Sequence, residues 1–204
     1  HVMDGLVPLI DAVGDAAHLV GYCLGGTMAM AAAAHRAPLS LSMIAAPWRF
    51  DGFPPEARDG MAALWTRTRP LAEHLGLLPM ESLQSAFWML DPARTVAKYE
   101  AFGRLDPASS AARGFVRMED WANGGAPLTL AAGRELVETL FIANASGRGE
   151  WRVGGRRIDP AALDCPVLDI VSTVDRIAPA ATAAGVGTVR QLSLGHVGMI
   201  ASRR

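Results

Sequence analysis

The sequence of 204 residues is long enough for one domain with a sizeable core, and half of its residues are apolar, which excludes a disordered chain. Its formal net charge of −1 gives no reason to expect nucleic acid or an anionic membrane surface as a partner. Cys23 and Cys165 are too few for a disulfide framework and lack zinc-ligand spacing, so we expect a cytoplasmic location and no bound metal. No run of about 18 apolar residues predicts a membrane span.

The first 46 residues have the pattern of a parallel α/β core. Apolar spacing predicts a helix over residues 2–12, and a short apolar run predicts a buried strand over 17–22. A helix rich in alanine and methionine follows over 24–37, and a second strand over 39–46.

Residues 47–130 interrupt that pattern. Apolar spacing is helical in pieces, over 61–78, 83–90 and 95–105. An insertion of this length is too long to be a simple connection, so we interpret it as a mostly helical lid. It contains most of the tryptophans of the chain, namely Trp48, Trp65, Trp88 and Trp121.

Residues 131–204 are predicted to form the second part of the α/β core, because the alternation of strands and helices returns there. The elements expected in this region are a helix at 130–144, a hairpin at 151–158 turning at Gly154 and Gly155, a strand at 166–172, a short helix at 178–184 and a strand at 188–194.

A cysteine lies at the sharp turn between the first predicted strand and its helix, in "GYCLGG". Gly21, Cys23 and Gly25 match the nucleophile-elbow pattern G-x-S-x-G with sulfur in place of oxygen, and the two glycines satisfy the need for small residues at the turn. The backbone N–H of Leu24, at the helix N-terminus, is the expected oxyanion donor, and the same helix end favours the thiolate. The alternative is a buried structural cysteine.

An acid and a histidine follow in the order that this fold requires. Asp175 comes after the predicted strand that ends at 172, and His196 after the strand that ends at 194. Each is therefore expected at the sheet edge where Cys23 also lies. The alternatives are a helix-capping aspartate and a surface histidine. The order and placement of the three residues favour a Cys-Asp-His triad.

Four segments together resemble the polyhydroxyalkanoate synthases: "GYCLGGT" (21–27), "EDWANGGAPLT" (119–129), "VSTVDRIAP" (171–179) and "LGHVGMI" (194–200). The resemblance implies an α/β-hydrolase fold with a mostly parallel sheet and a helical lid. It also implies that Cys23 is the nucleophile, His196 the base and Asp175 the acid in the polymerisation of 3-hydroxyacyl groups from coenzyme A thioesters. Trp121 matches a position that the family uses in dimer contacts.

The resemblance further implies 3-hydroxyacyl-CoA and a growing polyester chain as substrates, no separate cofactor, a homodimer, and a location in the cytoplasm at the surface of polymer granules. Arg176 and Ala180 depart from the histidine and the aromatic residue that the family often has. The family's catalytic domain has several strands before the elbow, and a loop among them supplies a second oxyanion donor. We therefore expect this chain to be a fragment that lacks the N-terminal strands.

Two other functions stay open on the sequence alone. A thioesterase or esterase with a cysteine nucleophile would use the same triad with water as the acceptor. A non-catalytic homologue that binds granules or dimerises with an active synthase is the second alternative.

Overall fold

The computed structural model describes residues 1–89 and 92–202. These form two compact units: the first joins His1–Arg58 to the part of the chain from Glu138 onward, and the second is Asp59–Val137. The sequence places the insertion at 47–130. Residues 47–58 instead belong to the first unit, where the Phe50 side chain is fully buried. That the insertion acts as a lid stays a prediction.

The described chain contains eight strands and eight α-helices. The strands are β1 (His18–Tyr22), β2 (Ser40–Ile44), β3 (Leu77–Leu78), β4 (Leu128–Thr129), β5 (Arg152–Val153), β6 (Arg156–Arg157), β7 (Val167–Ser172) and β8 (Thr188–Leu192). The α-helices are α1 (Val7–Val13), α2 (Leu24–His35), α3 (Pro55–Leu75), α4 (Met80–Met89), α5 (Pro92–Gly103), α6 (Ser110–Asn123), α7 (Leu130–Arg134) and α8 (Gly198–Ala201). Wider π-helical turns cover Val2–Leu6 and Glu135–Ile142.

The central sheet has the strand order β1-β2-β7-β8, and each neighbouring pair is parallel. At the ends of these strands Tyr22 pairs with Ile44, Ile44 with Ile170, and Ser172 with Leu192. The carboxyl ends of β1, β7 and β8 consequently lie at one edge of the sheet, where the sequence predicts the catalytic residues.

Helix α2 packs closely on the sheet because its side chains are small. Ala31 and Ala32 are completely buried, as is the longer Met30, and the helix contacts both β1 and β2. Burial on more than one side explains why the helix is apolar nearly all round instead of amphipathic.

The second unit has its own small core. Trp65, Ala72, Leu78 and Val137 are buried together. The two-residue strands β3 and β4 pair antiparallel there. Helices α5 and α6 are joined by Lys98, whose Nζ lies 2.9 and 2.8 Å from the two carboxylate oxygens of Glu119.

Several predicted helices differ from the structure. The helix predicted over 61–78 ends at Leu75, because Gly76 adopts a left-handed conformation (φ 71°) and the next two residues form β3. The helix predicted over 178–184 is wrong: only a 3₁₀ turn covers Ala180–Thr182, between extended residues. For the helix predicted over 83–90, Leu90 lies outside the described residues. Helix α6 was not predicted.

Within the described part of the chain, no helix is both long and apolar enough to cross a bilayer.

Candidate active site

The predicted nucleophile occupies a strained turn at the end of β1. Cys23 is the N-cap residue of α2, with φ 54° and ψ −131°, a conformation that non-glycine residues rarely adopt. Its N–H donates to the carbonyl of Ile44 at 2.9 Å, and its own carbonyl accepts from Gly26 N at 2.9 Å. These bonds fix the backbone, and the free thiol is half-buried.

Gly21 and Gly26 make this turn possible. A β-carbon on Gly21 would lie 2.4 Å from Gly26 Cα, and one on Gly26 would lie 2.4 Å from Ala46 Cβ. A β-carbon on Gly25 would meet nothing within 4 Å. The prediction that Gly25 supplies the small residue after the nucleophile is therefore wrong, because Gly26 is the residue on the crowded side of α2.

Asp175 and His196 come together on neighbouring loops at the same edge of the sheet. His196 Nδ1 lies 2.6 Å from Asp175 Oδ2, and the Asp175 side chain is fully buried. The other carboxylate oxygen of Asp175 accepts from the backbone N–H groups of Ile177 and Ala178 at 2.8 and 3.2 Å. Asp175 is thus held by its own loop and can orient the imidazole.

The imidazole of His196 also interacts with Cys23. Burial lowers its pKa, but hydrogen bonds to Asp175 and Cys23 outweigh that effect and raise the pKa of His196 from 6.5 to about 9. The structure thus brings the three predicted catalytic residues together.

Leu24 is the first residue of α2, directly after Cys23. Backbone N–H groups in the first turn of a helix have no acceptor within the helix, so the Leu24 N–H is available to a ligand oxygen. This is the position that the sequence predicts for the oxyanion donor; its role stays a prediction.

Sequence reasoning missed three residues that organise this edge. The Ser172 hydroxyl donates to the carbonyl of Leu194 at 2.5 Å and so ties the end of β7 to the loop before His196. The fully buried Thr27 hydroxyl donates to the carbonyl of Pro47 at 2.5 Å. Tyr22 packs its ring against His196, with ring centroids 4.7 Å apart. The sequence signal for Tyr22 is its place between Gly21 and the nucleophile.

Across the described residues, no group of three or more His, Cys, Asp or Glu side chains is arranged to hold a metal ion.

The chain is similar to curated proteins that share one name. It is 26% identical over 213 aligned residues to the poly(3-hydroxyalkanoate) polymerase subunit PhaC of Haloarcula marismortui, covering 98% of this chain and 45% of that protein. The PhaC subunit of Haloferax mediterranei is 27% identical, over 81% of this chain and 34% of its own length. The chain therefore spans half or less of the length of these relatives. No family model matches it.

Similarity to solved structures shows the fold of this chain. Est816, described as an N-acyl homoserine lactone degrading enzyme, matches with a TM-score of 0.51 and 19% identity over 96% of this chain and 67% of its own. An extracellular α/β-hydrolase from a Paenibacillus species matches with a TM-score of 0.50 and 13% identity, over 98% of this chain and 73% of its own. The chain has an α/β-hydrolase fold. The predicted resemblance to the polyhydroxyalkanoate synthases is confirmed by the PhaC relatives.

In the α/β-hydrolase fold, the residues that follow the strands at their carboxyl ends form the active site. Cys23, Asp175 and His196 occupy such positions after β1, β7 and β8. The polar edge of the sheet is therefore the candidate active site of this chain.

Proposed function

We propose that this chain carries the catalytic residues of an acyltransferase that polymerises 3-hydroxyacyl-CoA into polyhydroxyalkanoate. The observation that supports the proposal most is the interaction of His196 with both Asp175 and Cys23 at the strained elbow. The similarity to two PhaC polymerase subunits supports the choice of substrate. Sulfur suits this chemistry, because exchange of one thioester for another is nearly balanced in free energy.

The first half-reaction transfers the acyl group to the enzyme. The thiolate of Cys23 attacks the thioester carbonyl, and the developing oxyanion accepts a hydrogen bond from Leu24 N–H. The carbon–sulfur bond to coenzyme A breaks, and the proton held by the His196 imidazolium passes to the departing thiolate. The product is an acyl-Cys23 thioester with a neutral imidazole beside it.

The second half-reaction makes the ester bond. Neutral His196 removes the proton from the 3-hydroxyl of another hydroxyacyl unit, and the resulting alkoxide attacks the acyl-Cys23 carbonyl. The polyester is extended by one unit, and the Cys23 thiolate and the His196 imidazolium are restored. Asp175 keeps the imidazole oriented through both steps.

The products formed from 3-hydroxybutyryl-CoA by the full-length protein test the proposal. Release of coenzyme A together with an insoluble polyester is the expected result, and Cys23→Ala should abolish both. Release of coenzyme A with free 3-hydroxybutyrate as the sole product would contradict polymerisation and favour the thioesterase alternative. Absence of any release by a folded protein would favour a non-catalytic homologue.

A homodimer and a place at the granule surface belong to the same proposal. Trp121, on α6, is 54% exposed, which supports a role in contacts between subunits. The full-length protein should therefore sediment as a dimer that Trp121→Ala weakens, while Trp88→Ala, in a comparably exposed tryptophan of the same unit, should leave it intact. Equal dimer stability in the two variants would contradict a role of Trp121 in the dimer interface.

A further inference from the structure

Tyr22 contacts His196 from the last position of β1. The two ring centroids are 4.7 Å apart and the ring planes are inclined by 37°. The Tyr22 hydroxyl is buried and has no hydrogen-bond partner among the described residues. Burial, together with the nearby Cys23 and Asp175, raises the pKa of this hydroxyl. The contact with His196 is therefore made by the neutral aromatic ring and not by a hydrogen bond.

A second contact would restrict the motion of the His196 imidazole ring. His196 lies on the loop between β8 and α8, and its bond to Asp175 holds only the Nδ1 atom, at 2.6 Å. Hydrogen bonds at the ring nitrogens act in the plane of the imidazole, and they oppose tilting of that plane only weakly. Tilting would displace Nε2, the second ring nitrogen, from the Cys23 thiol. A second ring in contact blocks that motion.

Tyr22 is itself fixed by the central sheet. It pairs with Ile44 in the parallel ladder between β1 and β2. The next residue, Cys23, donates its N–H to the carbonyl of that same Ile44 at 2.9 Å. The backbone that places the Tyr22 ring is thus the backbone that places the thiol. An orientation imposed by this ring keeps the imidazole in register with Cys23.

We propose that Tyr22 is a positioning residue, whose ring holds the His196 imidazole so that Nδ1 stays on Asp175 while Nε2 faces the Cys23 thiol. The proposal rests on the proposed function in one respect, that Cys23 and His196 are the reacting pair. Tyr22 acts through His196 and touches no reacting atom. The ring is therefore required, and the hydroxyl is dispensable.

Two substitutions in the full-length protein separate the ring from the hydroxyl. Tyr22→Phe keeps the ring, and Tyr22→Leu removes it. The readout is the rate constant for alkylation of Cys23 by iodoacetamide as a function of pH, followed by peptide mapping. This readout needs no acyl-CoA, so it reports on the Cys23–His196 pair even in a protein that transfers no acyl group.

Tyr22→Phe should react within about twofold of the unsubstituted protein at every pH, because the imidazole stays oriented. Tyr22→Leu should react roughly tenfold more slowly near neutral pH, because a misplaced imidazole no longer accepts the proton of the Cys23 thiol. His196→Ala gives the pH profile of alkylation for a Cys23 thiol that has no histidine partner. Tyr99→Leu, which removes the other tyrosine of the chain, is the matched control and should change nothing.

An unchanged profile in Tyr22→Leu would overturn the proposal, and so would a Tyr22→Phe protein that behaves like Tyr22→Leu, because the hydroxyl would then be the active part. Circular dichroism shows whether each variant is folded; if Tyr22→Leu is not, Tyr22→Met takes its place under the same criteria. Normal alkylation profiles without coenzyme A release would contradict the proposed function and leave the role of Tyr22 standing.

Discussion

At the scale of single residues, the backbone of Cys23 carries strain that the neighbouring glycines permit. A non-glycine residue at φ 54° and ψ −131° costs on the order of 1–3 kcal/mol, and the turn persists because the sheet and α2 both hold it. The close approach of Gly21 to Gly26 lets the helix begin directly after the strand. The free cysteine at this turn is half-buried.

The two glycines that follow Leu24 should respond differently to alanine. Gly26→Ala should lower the free energy of unfolding by roughly 1–3 kcal/mol, because the new methyl group would meet Ala46 Cβ at 2.4 Å. Gly25→Ala, the matched control, faces open space within α2 and should be neutral or stabilising by up to about 1 kcal/mol. Urea unfolding of both variants measures the difference; equal effects would contradict the packing described for the elbow.

The charge of His196 should make stability depend on pH. Its pKa is raised in the folded protein to about 9 from an ordinary value of 6.5, so the folded state binds the proton more tightly than the unfolded state. The resulting stabilisation is complete below pH 6.5 and is lost as the pH rises through 9. Relative to His196→Gln, the free energy of unfolding should fall by up to about 3 kcal/mol over this range. A pH-independent difference in urea unfolding would show that His196 is not held as a cation.

At the scale of elements, the sequence predicts the parallel core better than the inserted helices. β1, α2, β2, β7 and β8 all appear where apolar runs and turn residues predict them, with ends shifted by one or two residues. The inner strands β2 and β7 are covered, as apolar runs predict, with buried or half-buried residues throughout. The prediction that β1 is buried is wrong, because β1 is at the edge of the described sheet and Val20 is 69% exposed. The sequence does not predict α6, although this helix buries Ala112, whereas it predicts α4 and α5, in which no described residue is buried.

The same contrast holds for the candidate site. Cys23, Asp175 and His196 are predictable because each follows a strand and their order matches a known arrangement. Tyr22 and Gly26 are not, because their roles depend on which neighbour each meets in three dimensions: the His196 ring in one case and Ala46 in the other. The 3₁₀ turn at Ala180–Thr182 was missed because alanine-rich composition favours a helix, whereas the residues on both sides of the turn are extended.

A partly buried ion pair contributes to the contact between α5 and α6, beside the stacked rings of Phe102 and Phe115. The Glu119 side chain is 19% exposed and binds both Lys98 and the Tyr99 hydroxyl. Glu119→Gln should lower the free energy of unfolding by roughly 1 kcal/mol, and high salt should reduce that loss. Glu100→Gln, whose pair with Arg104 is long at 3.8 Å and exposed, is the control and should cost less than about 0.5 kcal/mol. Urea unfolding with and without salt measures both, and equal losses would contradict the assignment.

At the scale of the whole molecule, the proposed chemistry is assigned to one unit. Cys23, Asp175 and His196 all belong to the first unit, which is assembled from both ends of the chain. The residues from Asp59 to Val137 form a unit with a separate core. Substitutions confined to that core, such as Leu78→Ala, should therefore reduce stability without altering the thiol chemistry of Cys23.

The central claim is that Cys23 carries the acyl group during turnover. The most direct measurement is mass spectrometry of the full-length protein mixed briefly with 3-hydroxybutyryl-CoA, followed by peptide mapping under acidic conditions. The account predicts a hydroxybutyryl adduct on the peptide that contains Cys23, absent in Cys23→Ala and unaffected by Cys165→Ala. Coenzyme A release without any adduct on Cys23, or an adduct confined to Cys165, would contradict it.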